Sequence, residues 1–379
     1  VETAEYTELK ELRNRLHRSP ELSFKEFRTA EILLDFIGSA IENKNEFKVL
    51  RPFETSIVVE YRNGKDKDFK LFRADMDALP IKESTENPIV SENNGVMHAC
   101  GHDVHMTVLC GLIAKTAEKM PEENVLFVFQ PGEEGAGGAE KLIGSGVFDS
   151  YNISSAYALH VTDDHKVGEV ASNDNVLFAI PKEVNVEFSG KSAHAAFPEK
   201  GHDALAAAAG FLCDLENQIK RKINPANVFL AHFGKISSGT ARNIVSDSSI
   251  LEGTLRAFES ETMESGMDVV KNCARLAAEK FGCTSEVKTL GGYIEVRNTP
   301  ELFKKLKNVC KDKGFKCICK NGELVGEDFG YFTKRFSGIM FWLGSNENGK
   351  MPESLHSKTF FPSNNSIVSG LEIMWGMLL

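Results

Sequence analysis

At 379 residues the chain is too long for one ordinary domain and can bury two cores. A hydrophobic content of 42% with 26% charged residues is that of a soluble globular protein, and a net charge of −10 argues against nucleic acids and anionic membranes, which need a basic face. No apolar stretch is long enough to span a bilayer, and Val1-Glu2-Thr3-Ala4-Glu5 lacks the basic-then-apolar pattern of a signal peptide. The eight cysteines are scattered without the spacing of a disulfide framework, so a cytoplasmic, reducing compartment is expected.

In chain order, Leu9, Leu12 and Leu16, then Ile32, Leu33 and Phe36, recur at helical spacing and predict a helix from about residue 8 to 37, broken midway by Pro20. His17 lies in the Arg/His-rich part of that helix. Phe69–Asp77 reads as a strand ending in two acids, Asp75 and Asp77, two residues apart. Next comes Val96-Met97-His98-Ala99-Cys100-Gly101-His102-Asp103-Val104-His105, which gathers three histidines, a cysteine and a carboxylate into one short turn. Cys100 and His102 can project to one side of a turning backbone, and a thiolate with a neutral imidazole suits Zn²⁺ or a similar ion. A solvated histidine-rich turn and a Cys–His nucleophile pair are the rival readings, and spacing alone does not exclude either.

The downstream segments weigh on that choice. Val125–Phe129 is a continuous apolar run, hence a buried strand, and it ends in Gln130-Pro131-Gly132-Glu133-Glu134-Gly135. Open α/β sheets place their sites past such strand ends. Ala156–Val161 delivers His160, and Gly338–Gly344 precedes a loop with His356. With Asp75 and Cys100 included, five segments end in Cys, His, Asp or Glu, which argues for a metal site. The glycines after Glu134 do not follow G-x-G-x-x-G, and the acids before them repel phosphate, so a nucleotide loop is rejected. Cys317 and Cys319 read as one face of a buried strand. His165, His202 and His232 read as surface or core histidines.

Strands alternate with helices through His160, the α/β signature. From Ile180 the character changes. An alternating strand over 184–188, an alanine-rich helix over Asp203–Lys222, strands near 229–236 and 250–258, a helix near 262–281 and a strand over 286–289 make a β-α-β-β-α-β order, the ferredoxin-like pattern. The expected organisation is therefore a first domain of residues 1–179 and 292–379, interrupted by an inserted domain of residues 180–291.

The blocks FRADMDALPI, VMHACGHDVHM, VLFVFQPGEEGAGGAEKLI, ALHV, GKSAHAAFPEKGHDALAAA, NIVSDSSILEGTLRAF, GEDFGYF and MFWLG resemble, in collinear order from about Arg13 to the last residue, the bacterial N-acyl-amino-acid amidohydrolases. This is the aminoacylase and carboxypeptidase superfamily of metallopeptidases, in the branch with hippurate and auxin-conjugate hydrolases. The resemblance implies an α/β catalytic domain with a central mixed sheet and two divalent ions per subunit (Zn, Mn, Co or Ni), plus an inserted ferredoxin-like lid and dimerisation domain. It implies Cys100, His102, Glu134, His160 and His356 as metal ligands, with the Cys100 thiolate as a bridge. It implies Glu133 as the catalytic base, Asp75 and Asp77 as a metal-facing residue and the acid that orients it, and His98 and His105 as packing or supporting donors. Asp103 is expected either to orient His102 or to solvate the turn, and Asp328 to support the site. His194, reaching the active site from the partner subunit in dimeric relatives, is implied as a substrate-binding residue with Asn243 and Arg256, the last matching a carboxylate bidentately. Such an enzyme is a homodimer acting on a small N-acyl amino acid. The GEDFGYF and MFWLG wording points to removal of an acetyl group from N-acetylated L,L-2,6-diaminopimelate in lysine biosynthesis. A broader hippurate-type aminoacylase or carboxypeptidase is the alternative, and a catalytically silent metal-dependent binding dimer is the alternative of another class.

Overall fold

The structure is a computed structural model describing residues 4–63, 67–135, 137–347 and 350–379. The chain divides into two compact units, unit 1 (Val1–Leu177, Val296–Asn321 and Asp328–Leu379) and unit 2 (Phe178–Glu295 and Gly322–Glu327). The sequence reading left everything after residue 291 in the first domain, whereas Gly322–Glu327 groups with unit 2. Phe178 bridges Glu323 in parallel, and the Ala179 N–H donates to the carbonyls of Glu323 and Val325, both at 3.0 Å, which ties that segment to the start of unit 2.

The chain opens with α1 (Ala4–Arg18), α2 (Phe27–Ala40), β1 (Phe47–Leu50), β2 (Ile57–Tyr61), β3 (Phe69–Asp75) and α3 (His102–Lys119). There follow β4 (Asn124–Gln130), α4 (Gly138–Gly144), β5 (Ile153–Lys166), β6 (Glu169–Ser172) and β7 (Val176–Phe178). The inserted region holds β8 (Ile180–Ser189), α5 (Ala204–Lys222), β9 (Phe229–Ser238), β10 (Ser248–Ala257), α6 (Ser260–Lys280) and β11 (Thr284–Gly292). The chain then adds β12 (Val296–Arg297), α7 (Pro300–Lys313), β13 (Lys316–Cys319), α8 (Gly330–Arg335), β14 (Gly338–Asn346) and α9 (Asn365–Leu378). No helix of the described residues is long and apolar enough to cross a membrane.

Unit 1 is built on an eight-stranded mixed sheet in the order β1-β2-β4-β3-β5-β14-β6-β13. Its centre, β4-β3-β5-β14, is parallel. Every residue of β4 and β14 is buried, as strands covered on both faces require, which is why they read as unbroken apolar runs. Phe72 of β3 stacks on Tyr157 of β5, ring centroids 4.7 Å apart. From β3 the chain steps to β4 on one side and then back to β5 on the other. Asp75 and Gln130 thus end β3 and β4 side by side, with His160 on the neighbouring β5, at the edge where such sheets hold their sites.

Helix α3 is buried from His102 through Ile113, so it is covered around most of its circumference rather than along one stripe. Its start depends on Gly101, at φ 83°. An L-residue resists that conformation, and a Cβ there would come within 2.3 Å of Val161 Cγ2.

Unit 2 carries a four-stranded antiparallel sheet, β11-β8-β10-β9, with helices connecting in β-α-β-β-α-β order. This is the ferredoxin-like arrangement. Asp203 caps α5, its Oδ1 accepting from Leu205 N at 2.9 Å and Ala206 N at 3.1 Å. Ala204, Ala207, Ala208 and Phe211 of α5 are buried in one core with Val270 and Ala274 of α6 and with Val184, Val186 and Leu251 of the sheet. β9 forms an open edge of that sheet among the described residues.

Gly101→Ala is expected to destabilise unit 1 by about 1 kcal/mol through backbone conformation alone, with the contact on Val161 adding to it. In a double-mutant cycle read from denaturation midpoints, Val161→Ala should relieve part of the loss. Strictly additive effects would show that the Val161 contact costs nothing.

Candidate metal centre

Left-handed backbone at Gly101 turns both Cys100, just before α3, and His102, its first residue, toward the strand ends. His160 arrives from β5, paired with Trp342 of β14. Glu133 and Glu134 follow β4 in a turn flanked by Gly132 and Gly135, both at positive φ. His356 comes from the loop before α9. Its own φ is 62°, rare for a residue with a Cβ, and the Ala99 carbonyl accepts its N–H at 2.9 Å.

Cys100 Sγ lies 3.3 Å from both His160 Nε2 and His356 Nε2, and His356 Nε2 is 3.5 Å from Glu134 Oε1. His102 Nε2 stands 4.0 Å from the same Glu134 oxygen. Donor atoms of Cys100, His102 and His160 lie within 4.8 Å of one another, and so do those of Cys100, Glu134 and His356 and those of His102, Glu133 and Glu134. Metal–ligand bonds of about 2.0–2.3 Å at tetrahedral angles place ligand atoms ~3.5 Å apart. Cys100, His102 and Glu134 each belong to two of these three sets, so the sets adjoin one another.

The tautomers point the free nitrogens inward. His102 Nδ1 donates to the Asp77 carbonyl at 2.8 Å and His160 Nδ1 to the Val161 carbonyl at 2.8 Å, leaving each Nε2 for the pocket. His102 Nε2 and Glu134 Oε1 are buried without a hydrogen-bond partner. Burial pushes the Cys100 thiol well up, and the Glu134, Glu133 and Asp75 carboxylates push further. Burial works against a charged His102 ring, yet Asp75, Asp77 and Glu134 outweigh it and raise its pKa to about 10. Burial, with the neighbouring His105 and His102 rings, holds His160 well below the usual range and so neutral, Asp75 opposing. Orphaned donors, a thiol held protonated and a ring that attracts a proton together mark a place for cations, and the donor set fits divalent ones.

The aspartates lie beside these donors. Asp75 Oδ1 accepts from His105 Nδ1 at 2.6 Å and Oδ2 from Arg73 Nη1 at 2.8 Å, while Oδ2 stays 3.7 Å from His102 Nε2. Asp77 receives the N–H groups of Glu133 at 3.0 Å and Glu134 at 2.9 Å, and Ser23 Oγ at 2.7 Å. The sequence reading placed both among the catalytic groups. Asp77 holds the acid-bearing turn, and Asp75, which accepts from His105, lies with His102 and His105 in a group whose donor atoms are within 4.8 Å of one another. His105 Nε2 in turn accepts from the Val161 N–H at 2.9 Å, so this ring is a supporting donor. His98 is buried with neither ring nitrogen bonded, and burial lowers its pKa to about 4. Asp103 neither orients His102 nor solvates the turn. It is buried and accepts from Arg13 Nε and His17 Nδ1, both at 2.9 Å, while His17 Nε2 reaches Glu83 at 2.8 Å.

Residue type and position give no signal for a second buried network. Arg73 Nε donates to Gln130 Oε1 at 2.9 Å and Nη2 to Asp328 Oδ1 at 2.8 Å, and Gln130 Nε2 donates to both Asp328 oxygens. Asp328 also takes the Ala139 N–H at 2.9 Å, pinning the start of α4. Asp328 thus has the supporting place expected for it.

In unit 2, His194 and Asn243 are brought together. His194 forms an antiparallel bridge with Ile244, and the Ala195 N–H donates to the Asn243 carbonyl at 3.0 Å. Both side chains are exposed. His194 Nδ1 accepts from Ala196 N at 3.1 Å, which leaves Nε2 outward. Arg256 lies on β10 opposite Pro181 and Leu230, not in the His194–Asn243 pairing. It is partly buried and forms no hydrogen bond or ion pair among the described residues, and burial lowers its pKa, the Glu183 charge opposing.

The sequence profile of "Peptidase family M20/M25/M40" matches residues 71–378. The chain is 37% identical over 343 residues to "N-acetyldiaminopimelate deacetylase" of Lactococcus lactis subsp. cremoris, covering 90% of this chain and 91% of that protein. It is 36% identical over 366 residues to the protein of the same name from Streptococcus pneumoniae, 96% of each. The Bacillus subtilis YXEP protein, described as a dinuclear metal binding peptidase from the M20 family, superposes with a TM-score of 0.85 at 25% identity, covering 100% of this chain and 98% of that one. The chain belongs to peptidase family M20/M25/M40 and is a hydrolase of amide bonds.

Proposed function

We propose that the protein is a two-metal amidohydrolase that removes the acetyl group from N-acetyl-L,L-2,6-diaminopimelate, a cytoplasmic step toward lysine. The observation that carries the chemistry is the pair of ligand sets sharing Cys100, with Glu133 and Glu134 beside them. The relatives of that name, matched over nine-tenths or more of the chain, support the substrate. The eight free cysteines support a reducing compartment.

Cys100, His102, Glu134, His160 and His356 hold the ions. When bound, two divalent ions polarise the amide carbonyl and lower the pKa of water. Glu133, buried and within 4.8 Å of the His102 and Glu134 donor atoms, takes the proton of the attacking water and delivers it to the leaving amine. Asp77 fixes the turn that carries Glu133, and His105, held by Asp75 and the Val161 N–H, packs against His160 with ring centroids 4.6 Å apart. Arg256, whose guanidinium has no protein partner among the described residues, supplies the fork for the amino-acid carboxylate, with His194 and Asn243 on the acyl side. A homodimer forms by edge pairing of β9. Leu230 and Ile236 on that strand are 42% and 45% exposed, and an open apolar edge is what proteins cover.

Purified protein is expected to release acetate from N-acetyl-L,L-2,6-diaminopimelate with a higher kcat/KM than from hippurate. The reverse order would hand the assignment to a hippurate-type aminoacylase. Dialysis against a chelator should abolish hydrolysis, and Zn²⁺, Mn²⁺, Co²⁺ or Ni²⁺ should restore it. Full activity in metal-free protein would sink the metal reading and revive Cys100 as a nucleophile.

Glu133→Gln should lower turnover at least about a hundredfold with metal content near normal. Metal loss instead would mean that the parts of Glu133 and Glu134 are exchanged. If His194 serves the partner's site, mixing Glu133→Gln subunits with His194→Ala subunits, each inactive alone, should restore part of the activity. Sedimentation as a monomer, or no recovery after proven subunit exchange, would exclude a shared site.

A further inference from the structure

Behind the turn that carries Glu133 lies a segment between α1 and α2 to which no part has yet been given. Glu26 is fully buried there and forms no ion pair among the described residues. Its Oε1 accepts from the N–H groups of Phe24 at 2.9 Å and Gly132 at 3.0 Å, and its Oε2 from Thr55 Oγ1 at 2.6 Å. Three successive amides of the turn therefore end on two carboxylates. Gly132 N–H goes to Glu26, Glu133 N–H to Asp77 Oδ1 and Glu134 N–H to Asp77 Oδ2. Ser23, three residues before Glu26, donates to that last oxygen at 2.7 Å, so one short segment grips both ends of the clamp.

The fit is steric as well as polar. Phe24 sits at φ 59° and lays its ring on Gly132, where a Cβ would come within 2.7 Å of Phe24 Cζ. Lys141 Nζ lies 4.2 Å from the centroid of the same ring. Gly132 itself is at φ 69°, a backbone that only outside contacts hold to one direction. Burial, with the Asp77 charge adding to it, raises Glu26 to about 7 against the pull of Thr55 and the amides. A buried acid without a cation costs stability, and an apolar residue at this place would not incur that cost. Its three bonds are all accepted ones, so its use here is as an acceptor.

We propose that Glu26 is a positioning residue for Glu133: by accepting the Gly132 N–H it completes, with Asp77, a two-carboxylate clamp on three successive amides that fixes the direction of the Glu133 side chain. The inference rests on the reading of Glu133 as the proton carrier. Geometric slack of about 1 Å at a reacting group is enough to cost two orders of magnitude in rate, so loss of one clamp point is felt in turnover before binding.

The test uses metal-loaded protein, with kcat, KM and bound metal per chain measured for Glu26→Ala and Glu26→Gln. Glu26→Ala is expected to lose about tenfold or more in kcat, with KM and metal content within about twofold. Glu26→Gln keeps an acceptor oxygen and should restore most of that turnover. Gly132→Ala moves the same turn through Phe24 without touching Glu26, should show the same kcat-selective loss, and decides the matter if Glu26→Ala does not fold. Wild-type kcat in Glu26→Ala or in Gly132→Ala, or a loss shared equally by KM and metal content, overturns the proposal. Glu133→Gln in the same assay separates the two readings. If it keeps turnover, the base assignment falls; if it collapses while Glu26→Ala and Gly132→Ala do not, only the clamp falls.

Discussion

Carboxylates and a thiol buried side by side must be offset by buried positive charge, by hydrogen bonds or by protonation. Asp75, Asp77, Glu133 and Cys100 are all buried at the strand ends of unit 1, with Glu134 beside them. The desolvation cost of such a group is several kcal/mol per unpaired ion, far beyond the margin of a folded domain. Arg73 and His105 offset Asp75, and Asp77 is met by three donors. What is left over, the bare Nε2 of His102, the unbonded Glu134 oxygen and the protonated thiol, is a donor set that divalent cations would fit. Much of unit 1 follows from that one constraint. Supports are polar because they must be, and they are buried because the site is.

The residues that the fold gathers at the strand ends stood out in the sequence as candidates because most of them end an apolar run or sit in the one dense His/Cys turn. β4 and β14 showed as unbroken apolar runs, and unit 2 showed through alternation and its order of elements. The supports were not legible, for a physical reason. Arg73 lies inside β3 and looks like a charge interrupting a strand, yet its partner Asp328 is 255 residues away. Arg13 reaches Asp103 across 90 residues, which settled the part of Asp103 in a way neither expectation had offered. Glu26 lies in a stretch of mixed polarity with no periodicity. Spacing reveals side chains that share a local element, and it is silent on pairs that only the tertiary fold brings together. The same limit applies to Gly322–Glu327, whose tie to Ala179 is a backbone pairing with no mark in the side chains.

Unit 2 draws its stability from a different source. Its core is a packed layer of small, branched and aromatic side chains between two helices and a sheet. Polar side chains such as those of His194 and Asn243 stay exposed outside that core.

The pairing of β5 with β14 also sets an order of events during synthesis. Gly338 pairs with Ala156 and Leu343 with Val161, so the strand that covers one side of β5 is made only after all of Phe178–Glu295. A ribosome emitting the chain in order releases Phe178–Glu295, the larger part of unit 2, while the larger sheet still lacks β13 and β14. The inserted unit can close on contacts within itself, whereas the sheet around it waits with β5 as a bare apolar edge. For that interval the nascent chain offers a strand with no neighbour, the form most open to pairing with another molecule and most in need of a chaperone. Enclosing one domain in the middle of another thus makes the part that carries the chemistry the last to become safe from aggregation.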